Sequence, residues 1–159
     1  MLVLGGMRGI GMQDIEAKLS SIARPLFGTR AMRFLAYLGL CAAYLQGGLD
    51  KVADFNGTIG EINHFGLSPA PFFAVLVIIL ELFASAMILT GFFRWLAALA
   101  LAAFTLLATF LALRFWELPP GMERFMAANS FFEHLGLVGG FLLVAWLDLD
   151  QDISRTTEA

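Results

Sequence analysis

Apolar positions gather into four long blocks, roughly residues 34–49, 70–93, 95–113 and 131–147, separated by short stretches rich in Gly, Pro and charge. Of the 10 basic and 13 acidic residues, only Glu81 and Glu133 fall inside the blocks. A hydrocarbon core about 30 Å thick is crossed by about 20 helical residues, with a range of about 17–25. The second and third blocks meet that length unaided. The first meets it by extending back past Arg33, whose head can snorkel to water, or forward into Asp50-Lys51-Val52-Ala53. The fourth meets it by starting soon after Pro119-Pro120-Gly121. A soluble domain would need polar partner helices to cover such blocks, and the chain offers none. The pattern predicts an all-α integral membrane four-helix bundle.

The segments around the blocks carry their own signals. Ile15, Leu19, Ile22 and Leu26 recur at helical spacing beside Lys18 and Arg24, which reads either as a short amphipathic N-terminal helix stopped near Pro25 or as a frayed polar tail. Thr58 and Glu61 fit a capping box, Ile59, Ile62 and Phe65 give one apolar face, and Gly66 can end the turn. Ser68-Pro69 reads as a cap and first-turn proline for the second block. Gly91-Phe92-Phe93-Arg94 makes a tight hairpin, and Phe115 and Trp116 suit an interfacial loop. The stripe Ala36, Gly39, Ala43, Gln46 and Asp50, the many alanines of 95–113, and Gly136 with Gly140 are small-residue packing faces. Asp148, Asp150 and Asp152 read as a solvated, unstructured tail. The organisation is then 1–30 cytoplasmic N-terminus, 31–147 transmembrane domain and 148–159 acidic cytoplasmic tail.

Composition narrows the function classes. Apolar residues make up 59% of the 159, and charged residues 14% against about 25% in an average soluble domain. A net charge of −3 gives no basic surface for nucleic acid. One cysteine, Cys41, excludes an intrachain disulfide or a two-cysteine redox centre, and two histidines with no ligand spacing lead us to expect neither metal nor haem. Four spans place both termini on one side. That side holds Arg8, Lys18, Arg24, Arg30, Arg33, Arg94 and Arg155; the other holds Lys51, Arg114 and Arg124. The imbalance predicts both termini in the cytoplasm. Met1 to Gly6 lacks the basic start and apolar run of a signal peptide, and Met12 is an alternative start.

Glu81 is the leading candidate for chemistry. It sits mid-block, where an ionised carboxylate costs about 2.5–3.5 kcal/mol on insertion scales and so faces a partner or a cavity. Ala74, Ala84 and Ser85 share its helical face. Lys51, Arg114, Glu133 and His134 lie near the outer ends of the other blocks and can converge above it in the outer half of the membrane. Each also has a plainer role: Arg114 as an interface anchor, Glu133 as the close of a Ser130-to-Glu133 capping box, Glu81 as a packing bond. His64 reads as solvent-facing. If the last helix begins near Met122 rather than Ser130, Glu133 and His134 come closer to the depth of Glu81. Any redox role would rely on a bound small molecule, such as a quinone, or on partner subunits.

Taken in order, these motifs resemble the DoxX family. Gly48-Leu49-Asp50-Lys51-Val52-Ala53-Asp54-Phe55 is similar to the end of its first helix, Gly66-Leu67-Ser68-Pro69 to its entry into the second. Glu81, Gly91, Arg94 with the alanine run, and Gly139-Gly140 complete the resemblance over about residues 31–147. One departure is Glu133-His134, where many members carry a lysine-asparagine pair. The resemblance implies a four-helix protein of a bacterial inner membrane, associated with membrane lipids and with membrane or peripheral redox subunits. Family members include the small subunit of a thiosulfate:quinone oxidoreductase and parts of oxidative-stress assemblies. It singles out Lys51, Glu81 and Arg94, the last as a cytoplasmic anchor. The leading expectation is an accessory or quinone- or lipid-binding subunit. The alternatives are a small proton-coupled transporter using Glu81 and a structural assembly factor without chemistry.

Overall fold

The structure is a computed structural model that describes residues 11–157, with side chains to Gln151. The Met1–Gly6 start, Arg8 and the side chains of Asp152 and Arg155 lie outside the described residues. In chain order the helices are α1 (Met12–Phe27), α2 (Arg30–Ala53), α3 (Phe55–His64), α4 (Ala70–Thr90), α5 (Arg94–Ala112) and α6 (Met122–Thr157), with a 3-10 turn at Phe115–Glu117 before α6. No strand occurs among the described residues. Two compact units divide at Ala36 and Tyr37, within α2.

The first unit contains α1. This helix runs two residues past Pro25, and Gly28 ends it by donating its N–H to the Arg24 carbonyl at 2.8 Å. Its apolar residues Ile15, Leu19, Ile22 and Leu26 are all exposed. Thr29 Oγ1 then accepts the Met32 N–H at the start of α2.

The second unit holds three helical stretches long and apolar enough to cross a membrane: Ala70–Thr90, Arg94–Glu117 and Met122–Gln151. They correspond to the second, third and fourth apolar blocks. The first block lies in α2, which has the length at 24 residues but not the apolar density, because Arg30, Arg33, Gln46, Asp50 and Lys51 dilute it. One apolar core nevertheless draws on α2 (Cys41, Tyr44), α4 (Ala84, Ile88), α5 (Ala97, Ala98, Leu101, Ala102) and α6 (Phe141, Val144, Ala145). The small side chains of α5 let its neighbours approach closely, which is how apolar helices gain packing energy where lipid offers no hydrophobic drive.

The packing face of α2 differs from the stripe read from small residues. Ala36, Gly39, Ala43, Gln46 and Asp50 are exposed, and Gln46 Nε2 donates to Asp50 instead, at 2.9 Å. Cys41, Tyr44 and Gly48 face the core. The ring of Tyr44 buries more apolar surface than any alanine, so the face carrying it wins. On α6, Gly140 lies against Leu40, where an added Cβ would come within 3.0 Å of Leu40 Cδ1, whereas Gly136 meets nothing.

Three helix starts also shift. The first helix turn of α3 is capped by Asp54, whose Oδ1 accepts from Gly57 N–H at 2.9 Å; Thr58 and Glu61 are inside the helix and do not form its capping box. Its far end does stop at Gly66, with φ of 72° and the Leu67 N–H bonded back to Ile62 O. Pro69, not Ser68, precedes the first residue of α4, with a cis Ser68-Pro69 peptide and Pro71 in the first turn. Helix α6 starts at Met122, so Glu133 lies well inside it and caps nothing. At its other end α6 continues as helix to Thr157, which replaces the unstructured acidic tail expected from Asp148 onward.

The α4–α5 hairpin turns on Gly91, at φ of 87°, whose N–H closes α4 on Met87 O at 2.9 Å. A Cβ there would sit 2.8 Å from Arg94 Nη2. Gly91→Ala is therefore expected to lower stability by about 1–2 kcal/mol, the strain of a left-handed residue with a side chain. A detergent unfolding series followed by helical circular dichroism measures it, and an unchanged midpoint would contradict it.

Candidate functional site

The polar interior is built from side chains on five helices. Glu81 projects from the middle of α4 with 5% of its surface exposed, on the same buried face as Ala74, Ala84 and Ser85. Lys51 reaches it from the last turn of α2 and donates from Nζ to both carboxylate oxygens, at 3.1 and 3.2 Å. Two glycines permit the approach. At Gly48 a Cβ would stand 2.7 Å from Leu82 Cδ2, so the backbone of α2 lies directly on an α4 side chain. At Gly47 a Cβ would stand 3.3 Å from Lys51 Nζ and 3.8 Å from Glu81 Oε2. Even a methyl group at Gly47 would crowd the Lys51 ammonium, so the glycine lets the ion pair lie directly against the α2 backbone. Behind Lys51, the buried Thr58 hydroxyl reaches the Asp54 and Lys51 carbonyls, tying α3 to the end of α2.

A second line of polar groups crosses the core. On α5, Thr105 Oγ1 donates to Leu101 O and Thr109 Oγ1 to Thr105 O, both at 2.6 Å. Each hydroxyl has one proton, so each is left with only acceptor capacity for its other partner. Tyr44 O–H therefore donates to Thr105 Oγ1. By the same logic His134 Nδ1–H donates to Thr109 Oγ1 at 2.9 Å. This network requires a proton on Nδ1 of His134. Both lines end on backbone carbonyls, which have no proton to pass on, so they orient side chains rather than conduct protons. Tyr44 is further held edge-on by Phe141, with ring centroids 5.3 Å apart. Ser85 Oγ is fully buried with no oxygen or nitrogen partner among the described residues, beside the buried Cys41 thiol.

Of the five candidates read from the sequence, the structure brings Lys51 to Glu81. It places His134 on Thr109 instead. Glu133 is exposed on α6. Arg114 stays at the end of α5, half exposed, and bonds Glu117 at 3.3 Å and Leu111 O at 3.4 Å. Sequence reasoning overlooked Tyr44, Thr105 and Thr109. Their signal was two threonines four apart in an otherwise apolar helix, a spacing that stacks them on one face. Among the described residues no three His, Cys, Asp or Glu side chains group as a metal site.

At the hairpin end Arg94 gathers several contacts. Its Nε donates to Ile88 O at 2.9 Å, its Nη1 to Asp148 Oδ1 at 3.1 Å, and its guanidinium lies 4.7 Å from the centroid of Tyr37. Asp148 Oδ2 accepts the Trp95 N–H at 3.1 Å, so a carboxylate from α6 caps the start of α5, which has no side-chain cap of its own. Asp148 is paired and largely covered here, against the solvated role expected for it.

A family model described as DoxX matches residues 33–114, which is 82 of the 159. The match contains Lys51, Glu81, Arg94, Thr105 and Thr109, and stops before α6. No curated protein and no solved structure matches the chain.

Proposed function

The chain belongs to the DoxX family, and from that premise we propose that it is a non-catalytic accessory subunit of a membrane redox complex in a bacterial inner membrane, holding a quinone or lipid beside Lys51 and Glu81. The observation that carries this reading is a buried carboxylate in mid-span whose ammonium partner is still partly reachable. Lys51 keeps 22% of its side chain exposed, against 7% for Glu81. Two of the three ammonium N–H groups suffice for the two Glu81 oxygens. The third is available to a carbonyl or phosphate oxygen that approaches the exposed part of Lys51. The donor set therefore fits a quinone carbonyl. Redox centres of the complex would reside on that small molecule or on partners.

In this reading α2 is the fourth span of a four-helix bundle, with Lys51 neutralised by Glu81. Both termini are cytoplasmic, so Arg94 and Asp148 lie at the cytoplasmic surface and Arg114 at the outer one, following the Lys and Arg imbalance. Helix α1 lies on the cytoplasmic leaflet, with the exposed Ile15, Leu19, Ile22 and Leu26 turned to its apolar side.

Native mass spectrometry of the protein released gently from its own membranes tests the proposal. We expect a stoichiometric partner, together with a quinone- or lipid-sized mass whose retention falls about tenfold in Glu81→Gln, because the Lys51 ammonium is then no longer held in place by its two charge-assisted bonds. A bare, partnerless chain would overturn it. Such a result would favour a proton-coupled carrier, whose flux in liposomes would follow the protonmotive force and vanish in Glu81→Gln. Partners retained without any effect of Glu81→Gln would instead identify a structural assembly factor.

A further inference from the structure

A cavity of about 400 Å³ lies at the end of the molecule away from the α4–α5 hairpin, where the end of α3, the end of α5, the 3-10 turn and the first turns of α6 meet. Its volume falls within the ~300–1,000 Å³ typical of small-molecule sites. Phe65, Leu111 and Leu118 give it apolar walls. His64, Arg114, Glu117 and Glu123 supply its polar groups. None of these belongs to the Lys51–Glu81 pair or to the threonine line.

The charges are arranged in two unlike parts. Arg114 spends one N–H on Glu117 and one on Leu111 O. A guanidinium has five, so three remain for an anionic oxygen. Glu123 has no bonded partner among the described residues, and its carboxylate is free to take a cation. A ligand that satisfies both parts carries an anionic oxygen group and an N–H cation on one short skeleton, with an apolar portion for the walls.

Depth selects the source of such a ligand. Arg114 and Glu117 close one candidate span and Met122 opens the next. A cluster of edge-on aromatic contacts lies beside that level: Phe131 meets Phe110, Phe115 and Trp116 at centroid distances of 5.4, 5.4 and 5.8 Å. Trp116, half exposed in that cluster, is of a residue type enriched at the headgroup level of a bilayer. We propose that this cavity binds the zwitterionic headgroup of a phosphatidylethanolamine, with the phosphate on Arg114 and the ammonium on Glu123. The choice of ethanolamine over choline follows from chemistry, because a quaternary ammonium has no N–H to donate to Glu123. The proposal rests on the membrane reading but not on the redox one, and involves different residues.

The test is native mass spectrometry of the detergent-purified full chain titrated with phosphatidylethanolamine, phosphatidylcholine and phosphatidylglycerol of identical acyl chains. The first phosphatidylethanolamine is expected to bind about tenfold more tightly than either competitor, the value of one charge-assisted hydrogen bond. Glu123→Gln should erase the preference for ethanolamine over choline. Arg114→Gln should weaken all three lipids. Glu133→Gln removes an exposed charge of the same helix outside the cavity and should change neither. Equal binding of the three lipids by the wild type, or a preference that survives Glu123→Gln, would overturn the proposal. So would loss of preference in Glu133→Gln, which would mean a general charge effect. Free phosphoethanolamine displacing the lipid at matched concentration would overturn the lipid source and leave a soluble zwitterion. A helical spectrum identical to wild type shows that each variant is folded. Loss of redox partners in the native complex, with lipid selectivity intact, separates the failure of the accessory-subunit reading from the failure of this one.

Discussion

Lys51→Met is expected to destabilise the protein by about 3 kcal/mol, the lower edge of the ~3–5 kcal/mol seen when one partner of a buried ion pair is removed. The lower edge applies because Lys51 keeps 22% of its side chain exposed and some solvent screening with it. The loss comes mainly from stranding Glu81, 5% exposed in mid-helix, without its cation. The double variant Lys51→Met with Glu81→Leu removes both charges and should recover to within about 1 kcal/mol of wild type, since a buried pair and a well-packed apolar pair are often near equal in stability. Detergent unfolding followed by helical circular dichroism measures all three proteins. A single variant within about 0.5 kcal/mol of wild type would show that water reaches Glu81 freely. A double variant no better than the single would show that the pair's geometry, rather than its charge balance, holds α2 to α4.

The second large effect belongs to the hairpin end. Arg94→Ala removes a bond to the last turn of α4, an ion pair to α6 and a stacked contact on Tyr37 of α2. We expect a loss of about 2–4 kcal/mol, given ~1.5–3 for a hydrogen bond to a charged group and a further fraction for the cation–π contact. Arg94→Lys should recover less than half, because a lysine ammonium is a single point of charge and cannot face Ile88 O, Asp148 and the Tyr37 ring at once. At Asp148 the order should be wild type, then Asn, then Ala. Asparagine retains an oxygen for the Trp95 N–H that caps α5; alanine leaves that end bare. The same unfolding series measures these variants, and full recovery by Arg94→Lys would contradict the geometry.

The legible parts of this molecule were those written in local pattern. A lone carboxylate in an apolar run, with Ala74, Ala84 and Ser85 on its face, is enough to say that Glu81 points inward. Gly91 followed by an arginine and alanines is enough to place a tight turn before a close-packed helix. What could not be read is which distant element meets which face. Lys51, Arg114 and His134 were all plausible neighbours of Glu81, because helical periodicity gives the direction of a side chain and not the identity of the helix opposite. Asp148 looked like the start of a solvated tail because its partner, Arg94, is 54 positions away in the chain. The α2 face was misjudged for a related reason. Two helical stripes competed there, one of small residues and one holding Tyr44 and Gly48, and the second prevails through partners distant in sequence: Thr105, Phe141 and Leu82.

Cys41 has a practical consequence. It is the chain's single cysteine, free, and fully covered in the core between α2 and its neighbours. A thiol reagent reaches it only when that core opens, so the unmodified protein carries its own stopwatch. The rate at which a maleimide couples reads the opening of the α2 contact directly, in native membranes, with neither an engineered label nor a denaturant.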